Sequence, residues 1–236
     1  MRVHVDARVL RAKLHSARHR TLNDAGLGTM PLRTFKADGR SHVWLVDAPP
    51  GQRVIKRFEY SRLRQRLSLL LGIHPGRREL KCNRRLRAAQ VRVVPIVDAG
   101  VEGRGLGCSA WLATPLTGSS LHHLLDTADQ DPEGRGRLID AAARLAADLI
   151  RAGFWFKDLK PSNIVIDESG DAWLIDVGSA RPARKPAHTE RMLAVMDRVL
   201  VRAGADAALR RRFDASVRQA AGLDGDAPQP DAAAAR

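Results

Sequence analysis

The chain has 236 residues, with 40 Lys and Arg against 26 Asp and Glu, a formal net charge of +14. That length suits one compact unit or two small lobes, and a hydrophobic share of 44% is ordinary for a globular protein that needs no disulfide or metal staple. The positive field attracts phosphate, anionic lipid or nucleic acid, but aromatics at 4% are too few for a base-stacking platform, so no nucleic-acid partner is expected.

Cys82 and Cys108 stand outside any CxxC or Cys/His cluster, which argues against zinc and for a reduced, cytoplasmic protein. No apolar run reaches the roughly 18 residues of a spanning helix. Met1 to Arg20 is Arg-rich with one acid, Asp6, and is expected to be a strand followed by a basic helix.

Strands are expected over Met30–Lys36, Val43–Val46 and Gln52–Phe58, with turns at Gly39 and Pro49-Pro50-Gly51, giving an antiparallel meander. Ser61–Gly72 follows as a basic amphipathic helix. It carries Leu63, Leu67, Leu70 and Leu71 at helical spacing, and Arg62, Arg64 and Arg66 elsewhere. That pattern suits peripheral contact with an anionic membrane, or plain packing against the sheet. Pro75-Gly76 reads as a break. Arg77–Gln90 is a second helix, with Glu79, Asn83, Leu86 and Gln90 on one face. Val93–Ala99 and Cys108–Leu116 are two more strands. Helices are expected over Ser119–Asp126 and Leu138–Ala152. A loop over Gly153–Asn163 leads into strands Ile164–Ile166 and Ala172–Ile175, joined by the turn Asp167–Asp171. Helices around His188–Arg202 and Asp206–Ala221 complete the fold, and the Gly/Asp/Pro/Ala-rich stretch Gly222–Arg236 reads as a disordered tail.

Phe156-Lys157-Asp158-Leu159-Lys160-Pro161-Ser162-Asn163 resembles the protein-kinase catalytic loop H-R-D-L-K-P-x-N. Asp176-Val177-Gly178, on the far side of the two short strands, resembles D-F-G. The order, spacing and flanking strands make this pair specific, where a lone Asp-x-Gly would carry nothing. The resemblance implies phosphoryl transfer from ATP with Mg2+, a chemistry of positioning and charge compensation. Asp158 is then the base meeting the acceptor hydroxyl, with Lys160 beside it in the catalytic loop, and Asn163 and Asp176 are the magnesium ligands. Val54-Ile55-Lys56 resembles the strand lysine of V-A-I-K, and Glu79 stands where a kinase places that lysine's partner. Gly39 and Val43 resemble part of a glycine-rich loop, G-x-x-G-x-V, although an ordinary hairpin turn explains them equally well. Ala110–Leu116 resembles the last small-lobe strand and hinge. Thr114 would sit at the back of the adenine pocket. Pro115 and Leu116 would offer carbonyls, and Leu116 an N–H.

Taken together, the chain resembles the bacterial lipopolysaccharide kinases from about Lys36 to Arg181. Val54–Phe58 looks like that family's V-x-K-R-aromatic strand. The long basic insert before Arg78-Glu79 and the short second lobe are similar as well. Lys160-Pro161-Ser162 departs toward Ser/Thr protein kinases, and Phe156 replaces the usual His. The implied architecture is α+β and bilobal, a protein-kinase-like fold. An antiparallel-sheet lobe spans residues 1–117, a short and mostly helical lobe spans 118–221, and the tail follows. The implied acceptor is a hydroxyl of an anionic inner-core sugar, Kdo or heptose, met at the inner face of the cytoplasmic membrane. No A-P-E motif follows Asp176, so a peptide-docking activation segment does not fit. The alternatives are a small atypical Ser/Thr protein kinase and, less favoured, a pseudokinase.

Overall fold

The structure is a computed structural model of the chain and describes residues 21–27, 30–38, 41–60, 74–102, 109–127 and 131–223. The expected Met1–Arg20 segment, the amphipathic helix over Ser61–Gly72 and the tail beyond residue 223 lie outside these residues. The chain divides into two compact units. One unit takes the described residues up to Arg87, then Val93–Thr117 and Asp176–Ser179. The other takes Ala88–Arg92, Gly118–Ile175 and the described residues from Ala180 onward.

The first unit is built on a five-stranded antiparallel sheet. Its strands are β1 (Arg33–Ala37), β2 (Ser41–Ala48), β3 (Gly51–Glu59), β4 (Asp98–Glu102) and β5 (Ser109–Pro115), in the order β1-β2-β3-β5-β4. Alternation sorts the two faces of the central strands. Ile55, Trp111 and Ala113 are fully buried and pack with Val46, Ala48, Leu22 and Leu27 on one side. Phe58, Ala110 and Leu112 face the other way, toward Leu80, Ile96 and Ala99. Burying each large side chain contributes about 1.5–3 kcal/mol, enough to fix the register and with it the direction of every intervening residue.

Leu80 belongs to helix α1 (Pro75–Ala88), which starts two residues before the expected position. Pro75 does not break it. Proline suits the first helical position because the amide it lacks has no intrahelical partner there. Gly76, Glu79, Leu80, Asn83 and Leu86 form the buried face, while Gln90 lies past the helix end and is exposed. Asn83 Nδ2 donates to the Val94 carbonyl at 2.8 Å. Val93, Val94 and Ile96 are buried, but the strand expected over Val93–Ala99 begins only at Asp98. Pro95, inside that stretch, has no N–H for a ladder.

In the second unit, helix α2 (Leu121–Asp126) is preceded by the two-residue strand β6 (Ser119–Ser120), so Ser119 does not open a helix as expected. Helix α3 (Pro132–Arg151) starts six residues before the expected Leu138. Asp131 caps it by accepting from the Gly134 N–H, and Pro132 again stands in the first turn. Strand β7 (Phe154–Phe156) was not expected; it pairs with β10 (Ala180–Pro182). The expected hairpin is present as β8 (Ile164–Ile166) and β9 (Ala172–Leu174), with β6 added along β8. Gly118, at φ 64°, passes so close to the Ile166 carbonyl that a Cβ would lie 1.8 Å from its oxygen, so only glycine fits. Helices α4 (Pro186–Arg202) and α5 (Ala207–Ala221) close the unit, and Gly222 ends α5 in the left-handed conformation. The whole is mixed α+β, with no helix among the described residues long and apolar enough to cross a membrane.

His74 sets the entry to α1. Its Nδ1 accepts from the Arg77 N–H at 3.3 Å and lies 3.2 Å from the Tyr60 hydroxyl. Burial, helped by the Arg77 charge, pushes its imidazole down to about 4. The unfolded chain therefore takes up this proton near pH 6.5 and the folded chain does not, so the contribution is complete above pH 6.5 and fades toward pH 4. Urea unfolding at pH 7 and pH 4.5 should show a loss of about 2 kcal/mol from this group, discounted for its partial exposure. His74→Gln should shrink the acid sensitivity by that amount. An unchanged slope would remove His74 as the cause.

Candidate active site

Lys56 sits in the middle of β3, between neighbours of fixed direction. Ile55 is fully buried on one face, so the pleat sends Lys56 to the face that carries α1. Its register partners are Val43 on β2 and Leu112 on β5. The ammonium donates to Glu79 Oε2 at 2.8 Å and to Asp176 Oδ1 at 2.5 Å, and lies 5.1 Å from the Phe58 ring centre. Glu79 is buried, so it is not the solvated helix charge that an isolated glutamate would be.

Burial is the largest single influence on both members of the pair, and it opposes charge on each. For Lys56 the two carboxylates outweigh it and hold the ammonium above its ordinary value. For Glu79, burial pushes the carboxyl up, the Lys56 ammonium pulls it down, and Asp176 adds to the rise. Lys56 is thus a protonated, immobilised cation, and Glu79 depends on it.

Asp176 carries an exposed carboxylate and takes φ 55°, the left-handed region that Asp tolerates better than most residues. The short turn Asp176–Ser179 is steadied by α1. Cys82 Sγ approaches the Gly178 carbonyl at 3.9 Å. Gly178 itself has no positive φ, and a Cβ there would meet the Glu79 Cβ at an ordinary 3.6 Å.

Asp158, Lys160 and Asn163 belong to the second unit. Strand β7 delivers the chain to this loop, and buried Leu159, Pro161 and Asn163 pin it from beneath. The Leu159 N–H donates to the Phe156 carbonyl at 3.1 Å, and the Asn163 N–H to the Lys160 carbonyl at 2.8 Å. With those residues turned inward, Asp158 is left exposed and Lys160 half-buried. Asn163 Nδ2 donates to the Asp158 carbonyl at 2.9 Å, which turns the amide oxygen away from that carbonyl. The Asn163 carbonyl accepts from the Ile175 N–H at 3.0 Å, one residue before Asp176.

The donor chemistry of Asn163 and Asp176 fits magnesium. The ion takes hard oxygens near octahedral geometry and fills most positions with water and phosphate, so one carboxylate and one amide oxygen are a usual protein share. Each side chain carries such an oxygen: Asp176 meets Lys56 through Oδ1, and Asn163 donates through Nδ2 to the Asp158 carbonyl.

The remaining expected residues divide. Thr114 is half-buried on β5, paired with Val54 and on the same face as Lys56. Leu116 is 43% exposed, and its N–H donates to the Gln52 carbonyl at 3.2 Å. This corrects the expectation that its amide is available to adenine: the ladder between β3 and β5 runs on one step and takes it. The Pro115 carbonyl likewise accepts from the Thr117 hydroxyl at 3.4 Å. Gly39 lies outside the described residues, and Lys36 is paired with Asp38 at 2.8 Å.

The family profile described as "Lipopolysaccharide kinase (Kdo/WaaP) family" matches residues 36–210. The chain belongs to the lipopolysaccharide kinase family. The matched span runs from β1 into α5 and contains every residue considered above. No curated protein matches the chain.

Removing Lys56 should leave Glu79 buried without its cation. Lys56→Met is expected to cost about 2–3 kcal/mol of folding stability, less than a fully buried pair would because both partners keep some exposure. The deficit should shrink as pH falls, since a carboxyl pushed up by burial takes a proton more readily in the folded than in the unfolded chain. Denaturation of Lys56→Met and of Lys56→Met/Glu79→Gln at pH 8 and pH 5 checks this. A deficit independent of pH, and not relieved by the second substitution, would contradict the dependence of Glu79 on Lys56.

Proposed function

We propose that this lipopolysaccharide kinase family member transfers the γ-phosphate of ATP to a hydroxyl of an inner-core sugar, Kdo or heptose, with Mg2+. The observation that supports it most is the Lys56 ammonium, charged and held by buried Glu79 and by Asp176. A cation fixed in that way is suited to phosphate oxygens, and its position costs no reorganisation when they arrive. In this reading the sheet unit and the helical unit are the lobes of a bilobal, protein-kinase-like fold, with the change of lobe at residues 117–118 and the folded chain ending near residue 221.

Lys56 positions the transferring phosphates, and Glu79 keeps its ammonium from swinging toward solvent. Asp158 accepts the proton of the attacking hydroxyl as the new P–O bond forms, and Lys160, from the same loop, offsets charge on the transferred group. Asn163 and Asp176 would hold Mg2+, which on binding neutralises phosphate charge. Thr114, on the Lys56 face of β5, borders the adenine. The Pro115 and Leu116 carbonyls can still accept from its amino group, although the Leu116 N–H does not take part. Gly39, by its resemblance to a glycine-rich loop residue, would help cover the phosphates. Helix α1 exposes Arg77, Arg78, Lys81, Arg85 and Arg87, while its one acid, Glu79, is turned inward. That face suits peripheral contact with an anionic membrane, at about 1 kcal/mol per basic residue and screened by salt.

Phosphate incorporation from labelled ATP into Kdo-containing core oligosaccharide, against transfer to protein, tests the acceptor. Sugar labelling with no protein labelling is expected, and the reverse would favour a protein kinase. Asp158→Ala should lower kcat by about 10²–10⁴ and leave Mg-ATP affinity within a few-fold, because the base acts on the acceptor proton. Asp176→Ala should lose activity and magnesium-dependent ATP binding together, measured by calorimetry, with Asn163→Ala milder. Full activity in Asp158→Ala, or unchanged Mg-ATP binding in Asp176→Ala, would remove that residue from its role.

A further inference from the structure

Strands β7 and β10 make a small two-stranded sheet directly before the loop that carries Asp158. Its register pairs Ala180 with Phe156, Arg181 with Trp155 and Pro182 with Phe154. Phe156 is fully buried, its N–H reaches Met192 Sδ at 3.3 Å, and Ala180 is buried beside it. Alternation therefore puts Trp155 and Arg181 together on the opposite face, and both are half-buried. Trp155 is held there. Its ring stacks on His188, with centres 4.7 Å apart and planes 19° from parallel. His188 Nδ1 in turn accepts from the Arg184 N–H at 3.2 Å.

Charge along the β10 side of this sheet has one sign. From Ala180 to Thr189 the chain carries Arg181, Arg184, Lys185 and His188 and no acid. Arg184 and Lys185 are exposed. The next residue, Glu190, is engaged by Arg218 at 2.8 Å. One guanidinium N–H of Arg181 goes to the Ala180 carbonyl at 2.9 Å, which fixes the fork on this face. A rigid aromatic ring beside an arginine fork is the complement of a ring that is apolar on its C–H faces and acidic at one edge. An aromatic kept only for packing would not require cations gathered around it.

We infer that Trp155, backed by His188 and flanked by Arg181, is the acceptor subsite, and that it binds an acidic sugar ring. The ring's C–H face lies along the indole and its carboxylate meets Arg181, with Arg184 and Lys185 strengthening the local field. The inference deepens the proposed function and rests on it. It also explains how acceptor choice can be made close to Asp158 by a chain without a long docking segment.

Calorimetric titration of the full chain with free Kdo and with its methyl ester, in the presence of Mg2+ and a non-hydrolysable ATP analogue, tests the subsite without requiring transfer. Wild type should bind Kdo at least tenfold more tightly than the ester. Arg181→Gln should erase that preference, and Trp155→Ala should weaken both ligands tenfold or more. Trp155→Phe, which keeps a ring, should stay within threefold of wild type for Kdo. Affinity for the ATP analogue should not change in any of them. In kinetics the loss should fall on KM for Kdo rather than on kcat. Unchanged Kdo affinity in Arg181→Gln, or in a folded Trp155→Ala, would overturn the inference, and so would a wild type that binds both forms equally or neither. If Trp155→Ala does not fold, Arg181→Gln decides alone. Kdo binding with the predicted variant pattern but no phosphate transfer would refute the proposed function and leave the subsite standing.

Discussion

The Lys56 ammonium, between a buried glutamate and an exposed aspartate, is the interaction from which the arrangement of the first unit follows. A lysine in the middle of a strand has no reason of its own to point away from solvent and stay there. Here the register of β3 between β2 and β5 aims it, and the deep burial of Ile55, Trp111 and Ala113 makes a one-residue slip costly. Helix α1 then has to present Glu79 to the same face. It does so because Leu80 buries with Phe58, Ala110 and Leu112 of the sheet and Asn83 ties the helix to Val94. Glu79 is burdened by desolvation and Lys56 relieves it, so the pair is weak as a source of stability and strong as a constraint on geometry. Asp176 adds a second carboxylate from a residue 120 positions away in sequence, which makes the ammonium a junction of strand, helix and turn.

How much of this was legible in the sequence depended on how local the signal was. Asp158, Asn163 and Asp176 stood out because their spacing and flanking strands are written in one continuous stretch. The contact of Lys56 with Asp176 was not written anywhere, since nothing in two distant segments states which carboxylate a lysine will meet. One helix start was misread because proline was taken as a break, at Pro75, which stands in the first turn of α1. Pro132 and Pro186 likewise stand in the first turns of α3 and α4, ahead of the expected starts at Leu138 and His188. The strand expected from Val93 was delayed to Asp98 by a proline of the opposite effect, Pro95, within an otherwise apolar run. The same residue type thus starts a helix and postpones a strand, and the deciding fact is whether its position needs an amide hydrogen.

Strands β7 and β10 escaped notice for another reason. Each is three residues long, too short for alternation to show, and their pairing joins segments separated by the Asp158–Asn163 loop and the β8–β9 hairpin. The available hint was composition. Phe154-Trp155-Phe156 concentrates three of the chain's nine Phe and Trp residues, five Phe and four Trp, in one triplet. Such a cluster in an aromatic-poor chain needs a partner surface on both sides. Phe156 is fully buried with its N–H on Met192 Sδ, and Trp155 stacks on His188.

The brevity of the segment after Asp176 ties these observations together. Asp176–Ser179 belongs with the sheet unit and Ala180 opens β10 in the other, so the chain passes from one unit to the other across a single peptide bond. From Ala180 it is committed at once to pairing with β7, and by Pro186 it is already helical. Nothing in that span is long enough to form a separate platform whose conformation could be switched, so under the proposed function the acceptor would be selected by side chains already fixed by the fold. Arg181 is fixed by its register opposite Trp155, Trp155 by the His188 stack, and His188 by the backbone of Arg184. Each link is set by short-range packing or hydrogen bonding within one unit. Side chains held in this way need no reordering to meet a ligand, so the subsite inferred above would be preorganised in the folded chain rather than set by a regulatory state.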